Sequence, residues 1–312
     1  MRRGVSWYVT GNLAVIVVVL GVFFFWQAAE APRRVESETE IPAIESPEPQ
    51  VQVLSEQTKE TTVAVTTTAG TNKVLASPPV TASNQLTVRV PILMYHRIDR
   101  LPPDADASRT SLSIIPTDFD TQIRFLKDRG FTSLSLADVY DALQGKRTLP
   151  AKPVVLTFDD GYADNYANAF PILKRYSFLG TFFVLTDVTG TGEYMNWDQL
   201  KEMSLAGMKI EVHGRTHSDV TRMTAAQVIN QLKGAREALQ ARLGLDARFY
   251  AYPSGRYNDE VIDIVKANGF LAAVTVNYGT EQTLQKAFEL KRVRIDGRDG
   301  FSVFARKLGE IP

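Results

Sequence analysis

Two adjacent carboxylates, Asp159 and Asp160, follow the apolar run Val154–Phe158 and precede Gly161. Like charges side by side repel, and a cation can hold both of them ionised. One carboxylate can then bind that cation while the other stays free to take a proton. Asp-Asp-Gly is equally good turn chemistry, so the segment alone reads just as well as a plain strand-to-loop turn. A second group lies in Lys209–His217, where His213 and His217 stand four residues apart. They can meet one ion if the segment coils into a turn. Two imidazoles and a carboxylate, with a position open for water, make a catalytic zinc arrangement. An isolated pair of this spacing is more often two satisfied histidines, but here the pair holds two of the chain's three histidines. The third, His96, ends the apolar run Pro91–Tyr95. An imidazole there can serve as general acid near neutral pH, or simply hydrogen-bond at a rim. Finally, Phe249–Tyr257 begins as an aromatic strand candidate and runs into Pro253-Ser254-Gly255. Such a loop can aim a backbone N–H at a developing oxyanion, although the residues alone support only a strand and a turn.

These groups need elements to position them. Strand-length apolar runs are Val88–Tyr95, Thr132–Ser133, Pro153–Phe158, Thr181–Leu185, Lys209–Val212, Arg248–Ala251, Ala272–Val276 and Arg292–Ile295. Helical patterns lie between them at Asp118–Arg129, Leu136–Gln144, Asn165–Tyr176, Trp197–Leu205, Thr224–Leu243, Asp259–Asn268 and Phe301–Leu308. The clearest is Thr224–Leu243, where Val228, Leu232, Ala235, Leu239 and Leu243 form one apolar stripe. Alternation of this kind predicts an α/β fold: a distorted (β/α) barrel of seven or eight mostly parallel strands. In such barrels the chemistry gathers at the carboxyl ends of the strands, where each motif above sits.

The rest of the chain bounds the class. Of 312 residues, Lys plus Arg and Asp plus Glu each number 35, a neutral balance that argues against a nucleic-acid binder. Cysteine is absent, which removes disulfides, thiolate metal sites and a cysteine nucleophile. Arg2 and Arg3 precede an uncharged run, Gly4–Ala29, long enough to cross a hydrocarbon layer of roughly 30 Å. We therefore expect residues 1–31 to form a cytoplasmic stub and transmembrane helix, with the bulk of the chain exported. Cleavage as a signal peptide near Ala29-Glu30-Ala31, giving a secreted protein, is the rival reading, and Pro32 after the cut disfavours it. Residues 32–86 hold no aromatic side chain and many Glu, Pro and Thr, the composition of a disordered linker. Residues 87–312 remain for one globular domain.

The motifs TFDDG (157–161), HGRTH (213–217) and YPSG (252–255), in this order and after strands, resemble the polysaccharide deacetylases of carbohydrate esterase family 4, the NodB homology domain. The leading PILMYHRI (91–98) looks like the branch that deacetylates poly-N-acetylglucosamine, in which the motif order is permuted and the acid histidine comes early. The resemblance implies a metal-dependent hydrolase of carbon–nitrogen bonds with Asp159 as base and His96 as acid. It assigns the metal to Asp160, His213 and His217, the ion being zinc with cobalt or nickel as substitutes. It also implies Ser254 as the backbone oxyanion donor. Three departures stand out: Gly214 replaces the usual Ser or Thr, Ala251 an arginine and Ser254 a tyrosine. No DxxDW segment is present either, which leaves open the group that tunes the base; Arg292 or Arg294, at the last strand, could supply that cation instead. Tyr162, Tyr166, Trp197 and Tyr252 can stack on sugar rings, although core or rim packing is the commoner role of such residues. The implied partner is an N-acetylated polysaccharide of the envelope or cell exterior. No protein partner is legible. The alternative that the lost motifs suggest is a catalytically degenerate polysaccharide-binding module.

Overall fold

The computed structural model describes residues 86–310. Seven strands form its centre: β1 (Ile92–Tyr95), β2 (Pro153–Phe158), β3 (Thr181–Leu185), β4 (Lys209–Gly214), β5 (Phe249–Ala251), β6 (Ala272–Tyr278) and β7 (Leu290–Arg294). Each pairs in parallel with the next, and β7 pairs with β1, so the sheet closes. The expected parallel barrel is therefore present. The eighth strand candidate, Thr132–Ser133, stays outside the ring and pairs with the start of β2.

Strand side chains alternate between two faces, and the buried residues separate accordingly. Leu156, Phe158, Phe182, Val184, Val212 and Tyr250 join the large cluster beneath the helices. Ile92, Val155, Phe183, Ala251, Val274 and Leu290 form a second cluster inside the barrel. Counting by twos from that inner set puts Thr157, Asp159 and Arg292 on the inner face, and on β4 Glu211 and His213 alternate with the outer-facing Ile210 and Val212. Burial of the apolar members at about 25 cal/mol per Å² drives closure, and the polar members are carried inside with them.

The helices are α1 (Ala107–Leu112), α2 (Pro116–Asp128), α3 (Leu136–Leu143), α4 (Phe170–Tyr176), α5 (Trp197–Leu205), α6 (Ala225–Leu243), α7 (Asp259–Ala267) and α8 (Phe301–Lys307). On α6, Val228, Leu232, Ala235 and Leu239 are buried as the stripe predicts. Thr224 and Gln227 cap its start reciprocally. Leu136, Val139 and Leu143 of α3 join the inner cluster.

Three expectations need correction. The run Val88–Tyr95 is not one strand: Thr87–Arg89 pairs antiparallel with Glu281–Thr283, and β1 begins after Pro91, which has no N–H for a ladder. The helix expected over Asn165–Tyr176 opens with a π-helical turn at Asn165–Ala169. Pro171 cannot donate to the preceding turn, and the wider turn carries Phe170 N–H to Asn165 O instead. Helix α1 was not expected, because its sequence ASRTSL has no apolar stripe. Among the described residues no helix is long and apolar enough to cross a membrane. The expected transmembrane run Gly4–Ala29 and all but the last residue of the linker expected over 32–86 lie outside them.

Candidate active site

Beyond the end of β2 the backbone turns sharply. Asp160 has φ 75°, and Gly161 follows with φ 81°. A non-glycine residue in this left-handed region costs about 1–2 kcal/mol, strain that the surroundings must hold in place. Asp160 lies with its Oδ1 3.2 Å from His213 Nε2 and 3.4 Å from His217 Nε2. The three ligand atoms lie within 4.8 Å of one another. His213 Nδ1 is 2.8 Å from the carbonyl of Ala251. An N–H at Nδ1 donates there, which leaves the Nε2 lone pair facing Asp160. Asp160 Oδ1 is buried with no hydrogen-bond partner. An orphaned carboxylate oxygen facing two imidazole nitrogens is a donor set that would fit a divalent ion. Burial pushes the Asp160 carboxyl up, but His213, followed by His96 and His217, outweighs it and holds the group well below the usual carboxylate range. Burial alone would lower His213; Asp160 and Asp159 raise it instead.

Asp159 faces the barrel interior, and its partner is unambiguous. Arg292 donates Nη1 to Oδ1 at 2.8 Å and Nη2 to Oδ2 at 2.7 Å. The guanidinium is itself oriented: Nε donates to Thr275 O at 2.8 Å and Nη1 to Thr157 Oγ1 at 3.1 Å. Burial raises the Asp159 carboxyl, and the charge and hydrogen bonds of Arg292 reverse that, leaving it below its ordinary value. Of the two arginines proposed from sequence, Arg292 is thus the one on Asp159. Arg294 instead lines the cavity and donates to Ser111 Oγ at 2.7 Å. His96 Nε2 stands 4.0 Å from Asp159 Oδ2. Burial lowers its proton affinity more than the two aspartates restore it.

His96, Asp159, Asp160, His213 and His217 open onto one cavity of about 550 Å³, which Tyr162, Tyr252 and Ser254 also line. Ser254 adopts φ 55° in the turn Pro253–Gly255. Tyr252 is almost fully buried, and its hydroxyl donates to Phe288 O at 3.0 Å, so little of it is left for a sugar. Tyr162 stacks on Tyr194, ring centroids 5.4 Å apart, with the Arg97 guanidinium 3.4 Å above its centre. Trp197 and Tyr166 lie away from the cavity lining and pack against the helical core; the Trp197 ring lies under Arg242. Trp197, expected to contact substrate, therefore sits in the first turn of α5 instead.

The sequence reading missed Tyr194 and Arg97. Tyr194 sits in a polar loop with no periodicity, while Arg97 is adjacent to His96 and was legible as a buried cation only once Asp164 and Glu193 met it. The segment after Gly161 was also underread. Asn165 Nδ2 donates to His96 O at 2.9 Å, and Ile98 N–H donates to Asp164 Oδ1 at 2.8 Å. Together they pin the backbone that carries His96.

The polysaccharide deacetylase family profile matches residues 146–273. A protein of Bacillus subtilis (strain 168), YxkH, named for the same activity class, is 30% identical over 207 residues, 66% of this chain and 71% of its own length. The poly-beta-1,6-N-acetyl-D-glucosamine N-deacetylase of Staphylococcus aureus (strain N315) is 30% identical over 174 residues, and the chain spans only 59% of its length. The solved structure of the Streptococcus pyogenes deacetylase PplD in complex with acetate superposes with a TM-score of 0.64 at 34% identity, covering 68% of this chain and 95% of that one. The chain belongs to the polysaccharide deacetylase family. With the family comes its enzyme class, a hydrolase acting on carbon–nitrogen, non-peptide bonds.

Proposed function

We propose that the protein is a metal-dependent N-deacetylase that removes acetyl groups from N-acetylglucosamine units of an envelope or extracellular polysaccharide. The observation that carries this reading is one constellation. Asp160, His213 and His217 converge within 4.8 Å of one another, beside an Asp159 that Arg292 keeps ionised. A divalent ion held by those three residues, zinc by the donor set and cobalt or nickel as substitutes, supplies Lewis acidity and lowers the pKa of water toward about 7.

The chain's own residues do the rest. Asp159 takes the proton of the attacking water. A carboxylate offers about four lone-pair sites and Arg292 occupies only two, so about two remain to accept. The backbone N–H of Ser254 is assigned to the developing oxyanion, a contact typically worth a few kcal/mol. His96 gives a proton to the departing nitrogen as the carbon–nitrogen bond breaks, and acetate and a free amine leave. Its lowered proton affinity makes the imidazolium a stronger acid. The Tyr162–Tyr194 pair presents an aromatic wall on which a sugar ring can stack. The poly-N-acetylglucosamine substrate named for the staphylococcal relative, together with the early His96, supports an exopolysaccharide as polymer. The apolar run Gly4–Ala29 supports an exported domain held at a membrane.

The test is acetate release from a panel of N-acetylated glycans: poly-N-acetylglucosamine, peptidoglycan and chitin oligomers. Release from at least one, abolished by Asp159→Asn, is expected. Retention of a glycan with no acetate released from any would replace this reading with a degenerate binding module.

A further inference from the structure

His213 is fixed by strand β4 and by the Ala251 carbonyl. His217 has no such support: it lies beyond the strand, with 41% of its side chain exposed. Its position relative to His213 is set by the turn Gly214–Thr216, and a side chain of helix α6 holds that turn. Gln231 Oε1 accepts the N–H of Arg215 at 2.9 Å and that of Thr216 at 3.0 Å. Its Nε2 donates to Thr216 Oγ1 at 3.0 Å. One amide thus takes up three polar atoms of a three-residue turn.

The surroundings match this amide. Gly214 has φ 108°, and a Cβ there would stand 3.2 Å from Gln231 Oε1 and 3.2 Å from Thr216 O. One turn along α6, a Cβ on Gly234 would stand 2.7 Å from Arg215 Cδ, so the arginine stem lies directly over that glycine. Arg215 Nη1 then donates to Asn230 Oδ1 at 2.9 Å. Gln231 is next to Leu232 and three residues after Val228, both buried on the core stripe. Its side chain therefore has a fixed origin rather than a mobile one.

We infer that Gln231 is the positioning residue of the metal site, locking the turn so that His217 is held at ligand distance before an ion arrives. The inference rests on the metal reading above. Groups that orient ligands without touching the ion typically change metal affinity 10–100-fold when removed. Two backbone N–H groups left without an acceptor would let the turn relax.

The experiment is Co2+ and Zn2+ binding to the full chain by chelator competition, with the visible spectrum of the Co2+ form recorded alongside. Wild type should bind one ion. Gln231→Leu should bind it about 10–100-fold more weakly, with an altered Co2+ spectrum. Gln231→Glu keeps an acceptor for both N–H groups and should restore most of the affinity. Should Gln231→Leu fail to fold, Gln231→Asn, which withdraws the amide by one methylene, must show the same weakening. Melting of the metal-free protein separates a merely structural role: a lowered melt with unchanged affinity and spectrum overturns the inference. So does a Gln231→Leu or Gln231→Asn protein that binds Co2+ like wild type. Failure of wild type to bind either ion would instead overturn the metal reading itself, and this inference with it.

Discussion

Asp159, buried, and Glu211, half-buried, are both carboxylates on the inner face of one barrel, and they are driven in opposite directions. Asp159, past the carboxyl end of β2, is held below its ordinary value although burial pushes it up. Glu211, nearer the start of β4, is pushed up to about 8, chiefly by burial. Both accept two hydrogen bonds: Glu211 from the N–H groups of Arg248 and Phe249, each at 2.9 Å, and Asp159 from Arg292. The donors differ in charge. Neutral amides, helped by the charge of Lys209 but with no cation hydrogen-bonded to the carboxylate, lower Glu211 without overcoming its desolvation, and Asp246 works against them. A guanidinium two bonds deep overcomes it for Asp159. Burial by itself makes a proton reservoir; burial with a fixed cation makes an ionised base. The barrel thus sets which carboxylate is chemically ready by where it places Arg292.

Removing that cation should have the largest effect. Arg292→Met leaves Asp159 buried without its partner, which should cost about 3–5 kcal/mol of stability, read by denaturant unfolding. The carboxyl should then protonate, and acetate release should fall with it. Arg292→Met combined with Asp159→Leu replaces the pair with apolar groups and should recover much of the stability but no activity. If the single Arg292 variant melted like wild type, the contrast between the two carboxylates would have no energetic content.

Next in size is Asp159→Asn, which should reduce turnover by about 10²–10⁴-fold, the usual reach of a general base, while retaining the ion. Acetate release at the wild-type rate would refute the base assignment. Smallest is Glu211→Gln. A group raised from 4.5 to about 8 in the fold contributes stability below pH 4.5 that fades as pH rises through about 8. The wild-type melting temperature should therefore fall relative to Glu211→Gln between pH 5 and 8. A divergence of about 2–4 °C, equivalent to roughly 1 kcal/mol in a domain of this size, is expected. Parallel curves for the two proteins would contradict it.

Much of this site was legible because its residues stand in compact motifs after strands. Asp159, Asp160, His213 and His217 are short-range signals, and strand periodicity told which end of the barrel they reach. Arg292 was reachable only as one of two choices. It meets Asp159 from a strand 133 positions away, and position 292 rather than 294 follows from register, which no local pattern encodes. Trp197 is the complementary case: a large aromatic at a helix start can serve as a platform or as packing, and the side chain packs against the helical core. Tyr194, Asn165 and Gln231 act through hydrogen bonds and stacking that exist only once the chain is closed. The break at Pro91 and the π-helical turn at Asn165–Ala169 had a signal in their prolines, but its consequence depended on neighbouring partners.

The most direct test of the whole account is to strip the full chain with a chelator, measure acetate release from N-acetylglucosamine polymer, and then titrate zinc back. Activity should vanish on stripping and return in proportion to zinc, levelling at one equivalent per chain, with Asp160→Ala never recovering. Undiminished release from the stripped protein, or full recovery by Asp160→Ala, would contradict it.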